Sequence, residues 1–264
     1  MNTLQKTAIA AAITGLFAPT AFAQAAPAPE ASPVTANVTV VSDYRFRGIS
    51  QSNQKPAIQG GFDYAHESGF YIGNWNSSIS WISDANAGAT APIEMNFYGG
   101  FKKDLIAPGF ASDIGVLQYA YPTSGLNATN PNTTEIYAAQ NFTAGPVTGF
   151  VKFSYAVTNT FGTANSTGSY YPDLTANYDT GFWGIGLNAH VGYQYYAGNN
   201  ANGVSNSSTL SYTDWKIGLT KDFGGGLSAA VAWIDTNANR AAYTNAQGKF
   251  IGGSTGIVSL TKTF

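Results

Sequence analysis

From residue 34 to the end, apolar and polar side chains alternate with period two, in segments of about ten residues separated by connections that are alternately short and long. In 34–47, Val34, Ala36, Val38, Val40, Tyr44 and Phe46 share one parity, while Thr35, Asn37, Thr39, Asp43, Arg45 and Arg47 share the other. A strand built this way turns one face to apolar surroundings and the other to water. The same split returns in 146–158, where Val147, Val151, Phe153, Tyr155 and Val157 oppose Thr148, Lys152 and Ser154. It returns again in 184–196, where Ile185, Leu187, Ala189, Val191, Tyr193 and Tyr195 oppose Asn188, His190 and Gln194.

The full pattern predicts strands over 34–47, 54–66, 69–81, 93–105, 111–121, 133–143, 146–158, 170–180, 183–196, 210–222, 226–236 and 254–264. Reversals at Glu67-Ser68-Gly69, 106–110, Ala144-Gly145, Gly181-Phe182 and Phe223-Gly224-Gly225 carry the glycine or proline that a tight turn needs. The connections 82–92, 122–132, 159–169, 197–209 and 237–253 are long and rich in Asn, Ser, Thr, Gly and Ala, with 48–53 as a shorter member. Ten residues at roughly 3.4 Å rise, tilted about 40°, span roughly 26 Å, the height of an outer-membrane apolar band. The expected architecture is therefore all-β: one transmembrane antiparallel up-and-down barrel of about twelve strands, with short periplasmic turns and long extracellular loops. An even count puts both ends in the periplasm.

The beginning of the chain agrees with export. Lys6, the apolar stretch 7–17 and Ala21-Phe22-Ala23 read as a secretory signal peptide over 1–23, cleaved after Ala23. Residues 24–33 form a Pro/Ala-rich tail, and 34–264 form the barrel domain. Only 10% of residues are charged, against the roughly 25% usual for soluble domains, and 14% are aromatic. Aromatic residues fall at strand ends, as membrane interfaces require: Tyr44, Trp81, Tyr119, Tyr121, Tyr155, Tyr193, Tyr212 and Trp233 at the outer rim, and Phe62, Phe70, Phe182, Trp183, Phe223 and Phe264 at the inner. A soluble sandwich also alternates with period two, but it accounts for neither the low charge nor the regular short and long connections. The net charge of −2 argues against a nucleic-acid partner, and the absence of cysteine removes disulfide and thiolate chemistry.

The run Ser42-Asp43-Tyr44-Arg45-Phe46-Arg47-Gly48-Ile49-Ser50-Gln51-Ser52, with 56–64 (PAIQGGFDY) and 68–73 (SGFYIG) after it, resembles the opening of the TorF family of porins. Glu94-Met95-Asn96 stands where that family usually has Glu-Leu-Asp. The resemblance implies a porin of the outer membrane. The last strand, with Val258, Leu260 and Phe264 on one parity and Lys262 interrupting it, resembles the C-terminal signal read by the barrel-assembly machinery. Outer-membrane lipid, that machinery and small hydrophilic solutes are the expected partners.

Parity places Asp43, Arg45, Arg47, Asp63, Glu94, Lys102, Lys152, His190 and Lys216 on the inner face as candidate pore-lining residues, joined by Asp104, Glu135, Asp173, Asp179 and Asp214. Arg45 and Arg47, facing Asp63 or Glu94 across neighbouring strands, are the expected narrow part. Interspersed signs favour passive, weakly selective diffusion. The same charges also suit ion pairs that fill and stiffen a small barrel, so a non-conducting structural or adhesive barrel is the alternative. A third reading, a hydrolase, rests on His66 and His190 alone. His66 sits at the periplasmic end and His190 lacks a nucleophile motif, so no catalytic residue, metal ligand or cofactor is assigned.

Overall fold

The computed structural model describes residues 32–127 and 130–264. The segment expected to be a signal peptide, and most of the Pro/Ala-rich stretch after it, lie outside the described residues. The elements are β1 (Val34–Val41), β2 (Arg45–Phe46), β3 (Ile49–Ser50), β4 (Ala57–Ala65), β5 (Phe70–Ser78), α1 (Trp81–Ala85), β6 (Ile93–Ala107), β7 (Phe110–Ala120), β8 (Thr133–Ala144), β9 (Val147–Ala156), β10 (Tyr170–Asp179), β11 (Ile185–Gln194), α2 (Asn206–Leu210), β12 (Tyr212–Asp222), β13 (Leu227–Thr236) and β14 (Thr255–Thr263). All strands except β2 and β3 form one closed antiparallel barrel in chain order, twelve among the described residues. Closure runs through β1, which pairs with β4 on one side (Val38 opposite Gly60) and β14 on the other (Val38 opposite Lys262). No sheet edge is left open, as the absence of water in a bilayer demands.

The barrel is apolar outside and polar inside. Each of its twelve strands exposes at least one large apolar side chain, for example Ile58, Ile72, Ile114, Ile217, Val231 and Leu260. Such a continuous belt would be an aggregation liability on a soluble protein. Inward positions instead carry Gln59, Glu94, Asp113, Glu135, Lys152 and Asp214, all buried. The alternation that predicted the strands is therefore the alternation between the two faces of this wall.

Nine of the twelve expected strands match within about two residues at each end; the second begins three residues late, the third ends three early, and the first is different in kind. The strand expected over 34–47 leaves the wall after Val41. Ser42 makes the last ladder contacts, its N–H donating to Val258 O (2.9 Å) and its Oγ accepting from Val258 N (3.0 Å). The chain then turns into the barrel as a two-stranded hairpin, β2 with β3, and regains the wall at Ala57. Residues 48–53, expected as an outer loop, belong to this inner hairpin. A second difference concerns the aromatic residues. Tyr44, Tyr119, Tyr121 and Tyr212 face inward and are buried, whereas Tyr155, Tyr193 and Trp233 point outward.

Candidate functional site

The inner hairpin organises itself around one buried acid. Asp43 accepts hydrogen bonds from Arg45 Nε (2.6 Å), Ser50 Oγ (2.5 Å) and Ser52 Oγ (3.2 Å). Its turn is the pair Arg47-Gly48, with φ of 47° and 77°. Positive φ at both central residues is the two-residue hairpin turn whose twist matches paired strands, and it favours glycine second. Arg47 is a non-glycine residue held in the left-handed region, a placement that costs energy and concentrates at functional positions.

Tyr44, Arg45, Phe46 and Arg47 each have a partner outside the hairpin, on the wall or in a long loop. Arg45 Nη1 donates to Gly48 O (3.0 Å), Ile251 O (2.8 Å) and Gly253 O (3.1 Å), tying the hairpin to the last long loop. Tyr44 donates to Glu94 Oε1 on β6 (3.0 Å). Phe46 meets Tyr119 and Phe161 edge-on, at centroid distances of 5.4 and 5.3 Å. Arg47 reaches the far wall, donating to Glu135 Oε2 on β8 (2.7 Å) and Gln194 Oε1 on β11 (2.6 Å), with its guanidinium 4.2 Å from the Tyr171 ring centroid. Burial works against the Arg47 charge, but Glu135, aided by Tyr119 and Tyr171, more than offsets this and holds its pKa above the ordinary value.

The expected partners of the arginines are therefore corrected. Arg45 pairs with Asp43 and Arg47 with Glu135, while Asp63 and Glu94 serve tyrosines. Glu94 is 1% exposed and accepts from Tyr44, Tyr121 (3.3 Å) and Asn96 (2.8 Å). Lys102 donates to Asn141 Oδ1 (3.2 Å), and Lys152 lies 4.1 Å from the Tyr137 ring centroid. Asp104 and Asp179, expected inside, instead accept backbone N–H groups at turns, from Gly109 (3.1 Å) and Gly181 (2.8 Å).

His190 lies between two carboxylates, with Nδ1 3.0 Å from Asp173 Oδ1 and Nε2 2.9 Å from Asp214 Oδ2. Thr175 Oγ1 is also 3.0 Å from Nδ1, a contact that imitates a nucleophile and its base. With a carboxylate at each ring nitrogen, no lone pair is left to deprotonate that hydroxyl. His66, at the opposite rim, contacts Ser68 Oγ at 2.7 Å.

Residue parity alone does not show a lattice of tyrosines laid over glycines. Tyr98 crosses Gly73 to reach Asp63 (2.5 Å), Tyr71 crosses Gly100 to reach Asp113 (2.7 Å), and Tyr171 crosses Gly192 to reach Asp214 (2.8 Å). Tyr137 crosses Gly115 and its hydroxyl bonds that of Tyr71. In each case the ring lies in space that a Cβ on the neighbouring strand would occupy. The signal that could have revealed it is inward-parity glycines beside inward tyrosines. Gly192→Ala is accordingly expected to push Tyr171 off Asp214 and His190, costing about 1–3 kcal/mol. Urea midpoints of the refolded protein in lipid vesicles measure this, against Gly256→Ala, where nothing lies within 4 Å.

Beneath the hairpin lies a cavity with two unlike walls. One side presents Trp75, Leu117 and Tyr119 from β5 and β7; the other presents Lys152, Asp173, His190, Asp214 and Lys216 from β9 to β12. Arg47 and Tyr44 close it from above.

Residues 24–264 match the model of a family described as a bacterial protein of unknown function (Gcw_chp). Two solved structures are similar in fold. One, the KdgM porin, gives a TM-score of 0.54 at 6% identity, over 87% of this chain and 99% of its own. The other, described as KdgM porin in complex with disordered oligogalacturonate, gives 0.52 at 6% identity, over 88% and 98%. No curated protein is detectably similar in sequence.

Proposed function

We propose that this chain, which belongs to the Gcw_chp family of bacterial proteins of unknown function, is an outer-membrane porin through which small hydrophilic solutes diffuse passively, its charged interior narrowed by the hairpin of residues 42–56. The observation that carries the reading is the inversion of the barrel, apolar on every strand outside and charged within. Lipid accepts such an exterior, and a small polar solute accepts such an interior. The TorF resemblance belongs to this reading, because the motif 42–52 that carries it is the inner hairpin itself. So do export through a signal peptide cleaved after Ala23 and insertion by the barrel-assembly machinery through the strand ending in Phe264.

Asp43, Arg45, Arg47, Asp63, Glu94, Lys102, Lys152, His190 and Lys216 are the proposed lining, with Arg47 at the narrowest point. A second reading has one observation in its favour. The hairpin leaves the wall between β1 and β4, and Arg47 bonds β8 and β11 across the interior, so it can also serve as a plug in a non-conducting barrel. Planar-bilayer recording of the refolded chain separates the two. Steps of KCl current are expected, and a silent bilayer containing correctly folded protein would leave the plug.

A further inference from the structure

We infer that the cavity beneath the hairpin binds an uncharged, hydroxyl-rich solute of the saccharide class, an inference that rests on the porin reading above. The first observation is a buried acceptor without a donor. Asn96 is 6% exposed, lines the cavity, and its Oδ1 has no hydrogen-bond partner. Its Nδ2 is committed to Glu94 Oε1 at 2.8 Å, and reversing the amide would set two acceptors against each other. The missing group is therefore an O–H or N–H donor entering from the cavity.

The walls narrow the class of donor. On β9 to β12 cations and carboxylates alternate, so an ion of either sign meets like charge beside opposite charge. A hydroxyl both donates and accepts, and is satisfied by Lys152 or Lys216 as well as by Asp173 or Asp214. Facing them, Trp75, Leu117 and Tyr119 offer an apolar surface that suits the C–H face of a sugar ring. Hydroxyl rim and apolar face together describe a saccharide better than a small ion or a linear zwitterion.

The test is the KCl current of the refolded protein titrated with maltose, with polyethylene glycol of similar mass as the size control. Maltose is expected to reduce the current saturably, while polyethylene glycol shifts it only in line with bulk conductivity. Asn96→Leu, which removes the orphan acceptor, should raise the half-blocking concentration about fivefold to tenfold, the effect of one neutral hydrogen bond. Trp75→Leu, which removes the ring from the apolar wall of the cavity, should likewise raise the half-blocking concentration and provides the measurement should Asn96→Leu fail to fold. A current that maltose leaves unchanged overturns the inference while keeping the porin, and means that water satisfies Asn96. Equal half-block in wild type and in the folded variants overturns the site. Absence of any KCl current overturns the porin reading and this inference with it.

Discussion

Arg47→Ala is expected to raise the single-channel conductance at least about twofold and, at the same time, to destabilise the barrel. The first effect follows from position. Arg47 is the one hairpin side chain that reaches the opposite wall, at 2.7 Å from Glu135 and 2.6 Å from Gln194, and truncating it clears the interior at the roof of the cavity. The second follows from what is left behind. Glu135 is 2% exposed, and its other contact is the Tyr119 hydroxyl at 3.4 Å. A buried carboxylate that loses its cation costs about 3–5 kcal/mol. Arg47→Ala/Glu135→Gln removes the charge while retaining the volume, and should recover most of the lost stability while keeping the enlarged current. Single-channel recording and urea unfolding of the wild type, the two single variants and the double variant complete the cycle. An unchanged conductance in the double variant would take Arg47 out of the ion path. Equal stability of wild type and Arg47→Ala would mean that the ion pair contributes nothing to the fold.

The wall was legible because a barrel in a membrane writes its two faces directly into residue parity. The rule is clean on β9, where Val151, Phe153 and Tyr155 fall outside and Lys152 and Ser154 inside, and weaker on β5 and β13, where Trp75, Ala232 and Ile234 are buried inward residues. The same rule misled at 34–47, and for a physical reason. A hairpin turned into a polar interior also alternates, so Asp43, Arg45 and Arg47 continue the rhythm of β1 although the chain has left the wall at Ser42. The local mark of departure is the Arg47-Gly48 pair flanked by Phe46 and Ile49, a two-residue turn in the middle of what reads as a strand end. Partners across the interior were not legible at all. Glu135 lies 88 positions from Arg47 and Ile251 lies 206 from Arg45, and only closure of the barrel brings them together. The inward direction of the buried tyrosines is hidden from parity for a related reason. Phenol suits a membrane interface and a polar interior equally well, and it is the glycine on the adjacent strand that decides between them.

Gly48→Ala is expected to displace the whole hairpin, and this effect separates a seated constriction from a loosely held loop. Gly48 sits at φ 77°, and a Cβ there would overlap Thr236 Cγ2 and lie 2.8 Å from Asp214 Cβ. Relieving that overlap moves the turn away from β12 and β13, and Arg47, the adjacent residue, then loses its position between Glu135 and Gln194. Overpacking costs about 1–3 kcal/mol and the left-handed conformation of a non-glycine residue a further ~1–2 kcal/mol. Gly248→Ala isolates the second contribution, because Gly248 has nearly the same φ, 76°, with nothing within 4 Å. It should therefore lose about 1 kcal/mol and conduct as wild type does. Gly48→Ala should lose more, and its current should approach that of Arg47→Ala in size while fluctuating more, since the arginine is still present but no longer held. A current from Gly48→Ala identical to that of Gly248→Ala would mean that the turn does not rest on Asp214 and Thr236 in the membrane, and the constriction would have to be sought elsewhere along the barrel. The hairpin is fixed at its base by Asp43 and Tyr44, at its side by Arg45 and at its tip by Arg47. A shift at Gly48 therefore propagates to the tip rather than being absorbed within the turn, which is why one added methyl group is expected to be visible in a conductance trace.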